Sequence, residues 1–208
     1  MERVLKLRKI AVTGGLSCGK SQVCRFFKDL GAYVVSADDV VHQLLSPKTS
    51  IGQQVIALLG SDIVNADHID RSAVASHVFQ NPDLLAKLEA LLHPAVKREI
   101  DRHYQEACHQ AKASLFVAEI PLLFETGAQE DFDYTIAVIA DPEACKERFK
   151  QTTGYGQEEF SQRMKRQMSP DEKAALADFT LTNNGSLNDL EKTVKTYYAN
   201  LTKPTPTI

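Results

Sequence analysis

Gly14-Gly15-Leu16-Ser17-Cys18-Gly19-Lys20-Ser21 is the stretch that decides how this chain folds. It satisfies GxxxxGK[ST] and stands between two segments of different hydrophobic period. Before it, Lys9 to Thr13 (KIAVT) is a short apolar run that reads as a buried strand. After it, Val23, Phe26, Phe27 and Leu30 fall at i, i+3, i+4 and i+7, marking one apolar face of a helix that Gly31 ends. Tyr33 to Val35 is a second strand, so the chain opens with a βαβ unit. Glycines in such a loop let consecutive N–H groups turn inward toward phosphate oxygens, and the positive end of the helix adds its field. Lys20 then reaches for the β- and γ-phosphates, and the Ser21 hydroxyl is a ligand for Mg²⁺. The competing reading is an ordinary glycine-rich turn followed by a helical lysine, which does not account for both flanks.

Outward from this loop, 38–113 is helical in pattern almost throughout, with Asn81-Pro82-Asp83 resembling a cap and His93-Pro94 separating two helical runs. Leu115 to Glu119 (LFVAE) and Tyr134 to Ala140 (YTIAVIA) return as strands, Asp178 to Thr182 (DFTLT) is a weaker one, and Leu187 to Leu201 is a closing helix. The expected fold is α/β, a parallel sheet with helices on both faces. Its core is drawn from 1–37, 114–141 and 178–201, and a helical insertion occupies 38–113. The polar stretch 142–177, broken by Gly154-Tyr155-Gly156, reads either as a mobile flap over a charged ligand or as a solvated helical hairpin. The tail 202–208, with Pro204 and Pro206, is expected to be loosely attached.

The 208 residues suit one α/β core with a subdomain. Lys and Arg number 24 against 27 Asp and Glu, a balance with no general attraction for nucleic acid or anionic lipid. Cys18, Cys24, Cys108 and Cys145 form no CxxC pair and no metal-ligand spacing with the six histidines, which fits a reducing cytosol. No apolar run reaches the ~20 residues that cross a bilayer, and the basic, charge-interrupted start is not a leader, so a soluble, untargeted protein is expected.

Phosphate binding alone does not separate an enzyme from a nucleotide-operated switch, but the chain has no Asp-x-x-Gly and no Asn-Lys-x-Asp. A hydroxyl acceptor needs a carboxylate near its proton. Asp38, in Ser36-Ala37-Asp38-Asp39 at the carboxyl end of the second strand, reads as that base, as a ligand to Mg²⁺ or its waters, or as the N-cap of the helix that follows. Glu119 ends the third apolar run where a magnesium-shell acid stands. Pro121-Leu122-Leu123-Phe124 reads as an apolar loop on the core, with Glu125 solvated. His93 is a capping or packed residue before it is a catalyst. Arg148, Arg163 and Arg166 are candidates to neutralise charge passing between phosphates and acceptor. Asn183-Asn184-Gly185 is a turn that also suits the approach of a base. Cys18, within the phosphate loop and two residues from Lys20, is either a reactive thiolate or a small filler.

Assembled, these positions resemble the dephospho-coenzyme A kinases from about Lys9 to Leu201. The match rests on TGGLSCGKS, SADDVVHQLL, LLHPAV, PLLFE, the spacing from Arg148 to RMKRQMS, and ADFTLTNNGS, in that order. The resemblance implies a P-loop core of five parallel strands, a helical acceptor (CoA) domain and a lid closing over ATP. It further implies transfer of the γ-phosphoryl group of ATP, with Mg²⁺, to the ribose 3′-hydroxyl of dephospho-CoA by a cytoplasmic monomer or weak homo-oligomer. Position by position, it puts Gly15 and Ser17 to Gln22, thus Ser17, Cys18, Gly19, Lys20, Ser21 and Gln22, on ATP phosphates, with Asp38 as base and Arg148 in the lid. It also sets His93, Pro121, Leu122 and Glu125 beside the acceptor, and Asn183 to Gly185 near the adenine. Two positions depart from the family pattern. Ser36 stands where its first Asp is usual, and Thr152 where a second lid arginine is common, which leaves Arg163 or Arg166 as substitutes.

Overall fold

The structure is a computed structural model that describes residues 6–79 and 81–203. The expectations for the chain's start and tail fall in part on 1–5 and 204–208, outside the described residues. The chain divides into two compact units, one of 1–35 with 104–208 and one of 36–103.

The first unit is built on β1 (Lys9–Gly14), β2 (Tyr33–Ser36), β5 (Phe116–Glu119), β6 (Tyr134–Ile139) and β7 (Phe179–Thr182), in the order β2-β5-β1-β6-β7. β1 pairs in parallel with β5 and with β6, and β6 with β7. The strands carry near-continuous apolar runs because a parallel sheet is covered on both faces. Ile10 and Val12 of β1, Val117 of β5, Ile136 and Val138 of β6 and Leu181 of β7 join Val23 and Phe27 of α1 (Lys20–Asp29) in one core, all nearly inaccessible. The periodic face seen in the sequence is the face that α1 buries. Each such side chain stabilises the unit by about 1.5–3 kcal/mol.

After β6 come α6 (Pro142–Thr153), α7 (Gln157–Met164) and α8 (Pro170–Leu176), with the chain interrupted at 154–156 as the glycines suggest. α9 (Leu187–Leu201) starts in a reciprocal capping box between Ser186 and Asp189 and buries Leu190, Val194 and Leu201. The weak final strand is fastened by polar contacts rather than by hydrophobicity. The Thr135 amide and hydroxyl both donate to Asp178 Oδ2, at 2.7 and 2.8 Å, and the Asp178 amide donates back to Thr135 Oγ1 at 3.0 Å.

The second unit holds α2 (Ala37–Leu44), α3 (Ser50–Leu59), α4 (Arg71–Phe79) and most of α5 (Pro82–Gln110), around a core of Leu45, Val55, Leu59, Ile63, Ile69, Val74, Val78 and Leu88. Two sequence readings are corrected here. Between α3 and α4 the chain is not helical: a 3₁₀ turn at Ser61–Ile63 leads into a hairpin of β3 (Val64–Asn65) and β4 (His68–Ile69), with Ala66 at φ +53° in its two-residue turn. Two-residue strands are too short to register a period, and the turn lacks the glycine that announces one. His93-Pro94 also separates nothing, since both lie within α5. Proline deletes one backbone bond there, and the helix continues because Leu88 and Leu92 of its apolar face are held in the core.

Asp178→Ala should lower unfolding stability by roughly 2–3 kcal/mol, through loss of charge-assisted bonds to the Thr135 amide and hydroxyl. Denaturant unfolding measures it; a change of a few tenths would show that β7 is held by packing alone.

Candidate active site

The carboxyl ends of the parallel strands share one edge of the sheet, so the segments that follow β1, β5, β6 and β7 gather there. The loop from β1 enters α1 with Ser17 at φ +57° and Gly19, the N-cap residue, at φ +100°. Among the described residues no side chain caps α1, so the positive end of the helix faces the loop. A side chain on Gly19 is excluded twice, by its φ and because a Cβ would lie 2.3 Å from Asn183 Nδ2. Gly15 is equally confined: a Cβ would stand 2.7 Å from Cys18 Sγ and 2.9 Å from Pro170 Cγ.

Lys20 is buried and folds its ammonium over the loop, donating to the carbonyls of Gly15 at 2.8 Å and Gly14 at 3.3 Å. Ser21, one residue on, donates its hydroxyl to Glu119 Oε1 at 2.8 Å, so the end of β5 and the start of α1 bring two side-chain oxygens together. The Gln22 side chain accepts from Arg25, and its amide donates to Gly19 O. Asn183, buried at the end of β7, donates to Cys18 O at 2.9 Å and accepts at its own carbonyl from Arg148 Nη2 at 3.2 Å. Arg148 Nη1 is buried, with no hydrogen-bond partner among the described residues. Asn184 accepts from the Asp141 amide, which fixes the start of α6, and Gly185 packs against Asp189.

Pro121 to Phe124 form an apolar turn on the core with Leu123 fully buried, but Glu125 is not solvated. Lys173 of α8, itself wholly buried, reaches Glu125 Oε1 at 2.9 Å and the Pro121 carbonyl at 2.5 Å, and the Met168 amide donates to the same carboxylate. Thr13 also donates to the Pro121 carbonyl. Sequence reasoning passed over Lys173, because a lysine in a charge-rich helix carries no mark of burial. It passed over Cys145 too, whose Sγ lies 3.1 Å from Cys18 Sγ.

In the second unit Ser36 is the N-cap of α2, its hydroxyl accepting from the Asp39 amide, so the N-cap reading of Asp38 is wrong. Asp38 occupies the first turn of α2, exposed, and among the described residues its carboxylate has no hydrogen-bond or ion-pair partner. Serine is among the strongest N-cap residues, so Ser36 performs the capping without help from a carboxylate. His93 is exposed along α5. Thr152 donates back to the Arg148 carbonyl within α6. Arg163 is engaged with Glu159 and lies over the rings of Phe149 and Tyr155.

A five-stranded parallel sheet with a GxxxxGKS loop between its central strand and the helix that follows is the P-loop fold. The chain belongs to the dephospho-CoA kinase family, whose model matches residues 8–189. The dephospho-CoA kinase of Protochlamydia amoebophila is 49% identical over 199 residues, 95% of this chain and 98% of that protein. A crystal structure from Thermus thermophilus superposes with a TM-score of 0.80 at 32% identity, covering 95% of this chain and 99% of its own. The dephospho-CoA kinase from Campylobacter jejuni does so at 0.69 and 26%, covering 93% and 96%. No helix among the described residues is long and apolar enough to cross a membrane.

Lys173→Met should cost about 3–5 kcal/mol of stability, because it strands the Glu125 carboxylate in a protein interior. Adding Glu125→Leu should recover part of that loss in thermal or denaturant unfolding, and no recovery would mean that the Pro121 carbonyl contact matters more than the ion pair.

Proposed function

We propose that this chain phosphorylates the ribose 3′-hydroxyl of dephospho-CoA with ATP, giving CoA and ADP, the final step of CoA biosynthesis. The observation that carries the reading is family membership over residues 8–189, supported by a loop in which Lys20 folds onto the Gly15 carbonyl and Ser21 donates to Glu119. On this reading the segments of the chain take the roles of a nucleotide-binding core (1–37, 114–141 and 178–201), a helical acceptor domain (38–113) and a lid (142–177), in a cytoplasmic monomer or weak homo-oligomer.

Gly15 and Ser17 to Gln22 surround the ATP phosphates, and Lys20 exchanges its loop carbonyls for phosphate oxygens. Ser21 and Glu119 are hard oxygen donors of the kind Mg²⁺ takes alongside phosphate and water, and they fit it. When bound, the ion neutralises charge on the phosphates. Asp38 accepts the 3′-hydroxyl proton, a role its unengaged carboxylate suits. The unpartnered Nη1 of Arg148 meets charge on the transferring group, and Asn183 and Gly185 lie toward the adenine. His93, Pro121, Leu122 and Glu125 flank the acceptor, Glu125 from beneath, through the turn it anchors. Catalysis is then positioning and charge neutralisation more than covalent chemistry.

ADP release from MgATP should be strong with dephospho-CoA and weak with AMP or CMP, and Asp38→Asn should lower kcat by about 10²–10⁴-fold with little change in the KM for ATP. Turnover of another acceptor alone would retain the phosphoryl-transfer chemistry and remove this substrate. An Asp38→Asn enzyme of full activity would remove the base.

A further inference from the structure

Cys18 and Cys145 are 127 residues apart in sequence, yet their sulfurs lie 3.1 Å apart in the interior of the first unit. Cys18 is 1% and Cys145 3% exposed, so water does not separate them. Their surroundings are those of a reactive pair rather than of two filler residues. The hydrogen bond with Cys145 favours a thiolate at Cys18 against the effect of burial, and Lys20 and Arg148 add positive charge beside it. The same contact, with burial, pushes Cys145 up, so it keeps its proton. Cys24, one turn into α1, shows the contrast: burial and the Glu119 charge raise its thiol, and it is inert packing.

We propose that Cys18 and Cys145 form a reversible disulfide under hydroperoxide, and that this bond switches the phosphate loop off. The Cys18 thiolate attacks one peroxide oxygen, the O–O bond breaks, and sulfenic acid and hydroxide result, the latter neutralised by the proton that Cys18 released. The Cys145 sulfur attacks the sulfenic sulfur, the S–O bond breaks, and hydroxyl leaves as water with the Cys145 proton. Two thiols and one hydrogen peroxide thus become one disulfide and two waters. Leu16, Ser17 and Gly19 around Cys18 are only half-buried, which lets a small oxidant in and keeps bulky reagents out.

The bond acts on the loop because the sulfurs must close by about 1 Å to reach disulfide length. Cys18 lies between the two left-handed residues Ser17 and Gly19, and its carbonyl is clamped by Asn183. Drawing its side chain toward α6 therefore turns the peptide groups that aim at phosphate. α6 also carries Arg148, one turn beyond Cys145, so a single bond disturbs both sets of phosphate contacts. The bond itself is independent of the kinase reading, whereas its consequence rests on the phosphate loop binding ATP. In a reducing cytosol such a disulfide is transient, as sensing disulfides are.

Trypsin separates all four cysteines, since cleavage after Lys9, Lys20, Arg25, Arg102, Lys112 and Lys146 puts Cys18 in 10–20, Cys24 in 21–25, Cys108 in 103–112 and Cys145 in 113–146. After hydrogen peroxide, a non-reducing digest should show 10–20 joined to 113–146. Affinity for a fluorescent ATP analogue and turnover should fall on the order of ten- to a hundredfold, the scale of a 1 Å misplacement. Dithiothreitol should restore both. Cys145→Ser, with Cys145→Ala beside it in case the buried hydroxyl disturbs folding, should keep reduced-state activity and form no such peptide. Absence of the joined peptide in the wild type, joining to Cys24 or Cys108 instead, or a joined protein with undiminished nucleotide affinity would each overturn the proposal. The nucleotide and peptide measurements decide it even for a protein that does not turn over dephospho-CoA.

Discussion

The first turn of α1 begins without a side-chain cap, and much of the first unit is arranged around that fact. Side chains cap α2, α3, α6, α8 and α9 from Ser36, Thr49, Asp141, Ser169 and Ser186, which satisfies backbone N–H groups at once. At α1 the Gln22 amide turns back to the Gly19 carbonyl instead, and among the described residues no capping side chain stands between the positive end of the helix and an arriving anion. Gly19 bears no side chain that could compete, and the left-handed backbone at Ser17 and Gly19 keeps the loop curled. Lys20 rests meanwhile on the loop's own carbonyls, so its charge is held near the place where phosphate would need it.

Keeping such a loop in shape without a ligand takes polar fastening from several strands. Asn183 ties the end of β7 to the Cys18 carbonyl, Thr135 and Asp178 tie β7 to β6, and Lys173 ties α8 to the turn after β5. These groups are buried or partly buried, where a satisfied hydrogen bond is stronger and an unsatisfied one more costly than at the surface. Their use at the sheet edge, with apolar packing kept to the interior, follows from parallel architecture. The strands end where polar segments must turn back, and the exposed backbone there needs partners.

The second unit applies the same capping rule to opposite effect. Because Ser36 satisfies the start of α2, the carboxylate of Asp38 is not consumed by the helix and remains available on its first turn. In α6, Thr152 bonds back to its own helix through the Arg148 carbonyl.

The order of strands and helices in the first unit was legible in the sequence because its signals are local: apolar runs, one periodic helix face and a glycine-rich junction between them. Phosphate-loop residues, and Glu119 at the end of its strand, were legible for the same reason. The short hairpin at 64–69 and the unbroken helix through Pro94 were not, since two residues carry no period and a proline's local cost is outweighed by core contacts. Only the tertiary structure decided that Lys173 is an interior cation on Glu125, that Ser36 rather than Asp38 caps α2, and that Cys18 faces Cys145. Two of these are pairings between residues far apart in sequence, and the third is a choice between capping side chains two residues apart. Hydrophobic pattern and propensity describe each segment by itself, whereas burial and pairing depend on which segments the folded sheet brings together.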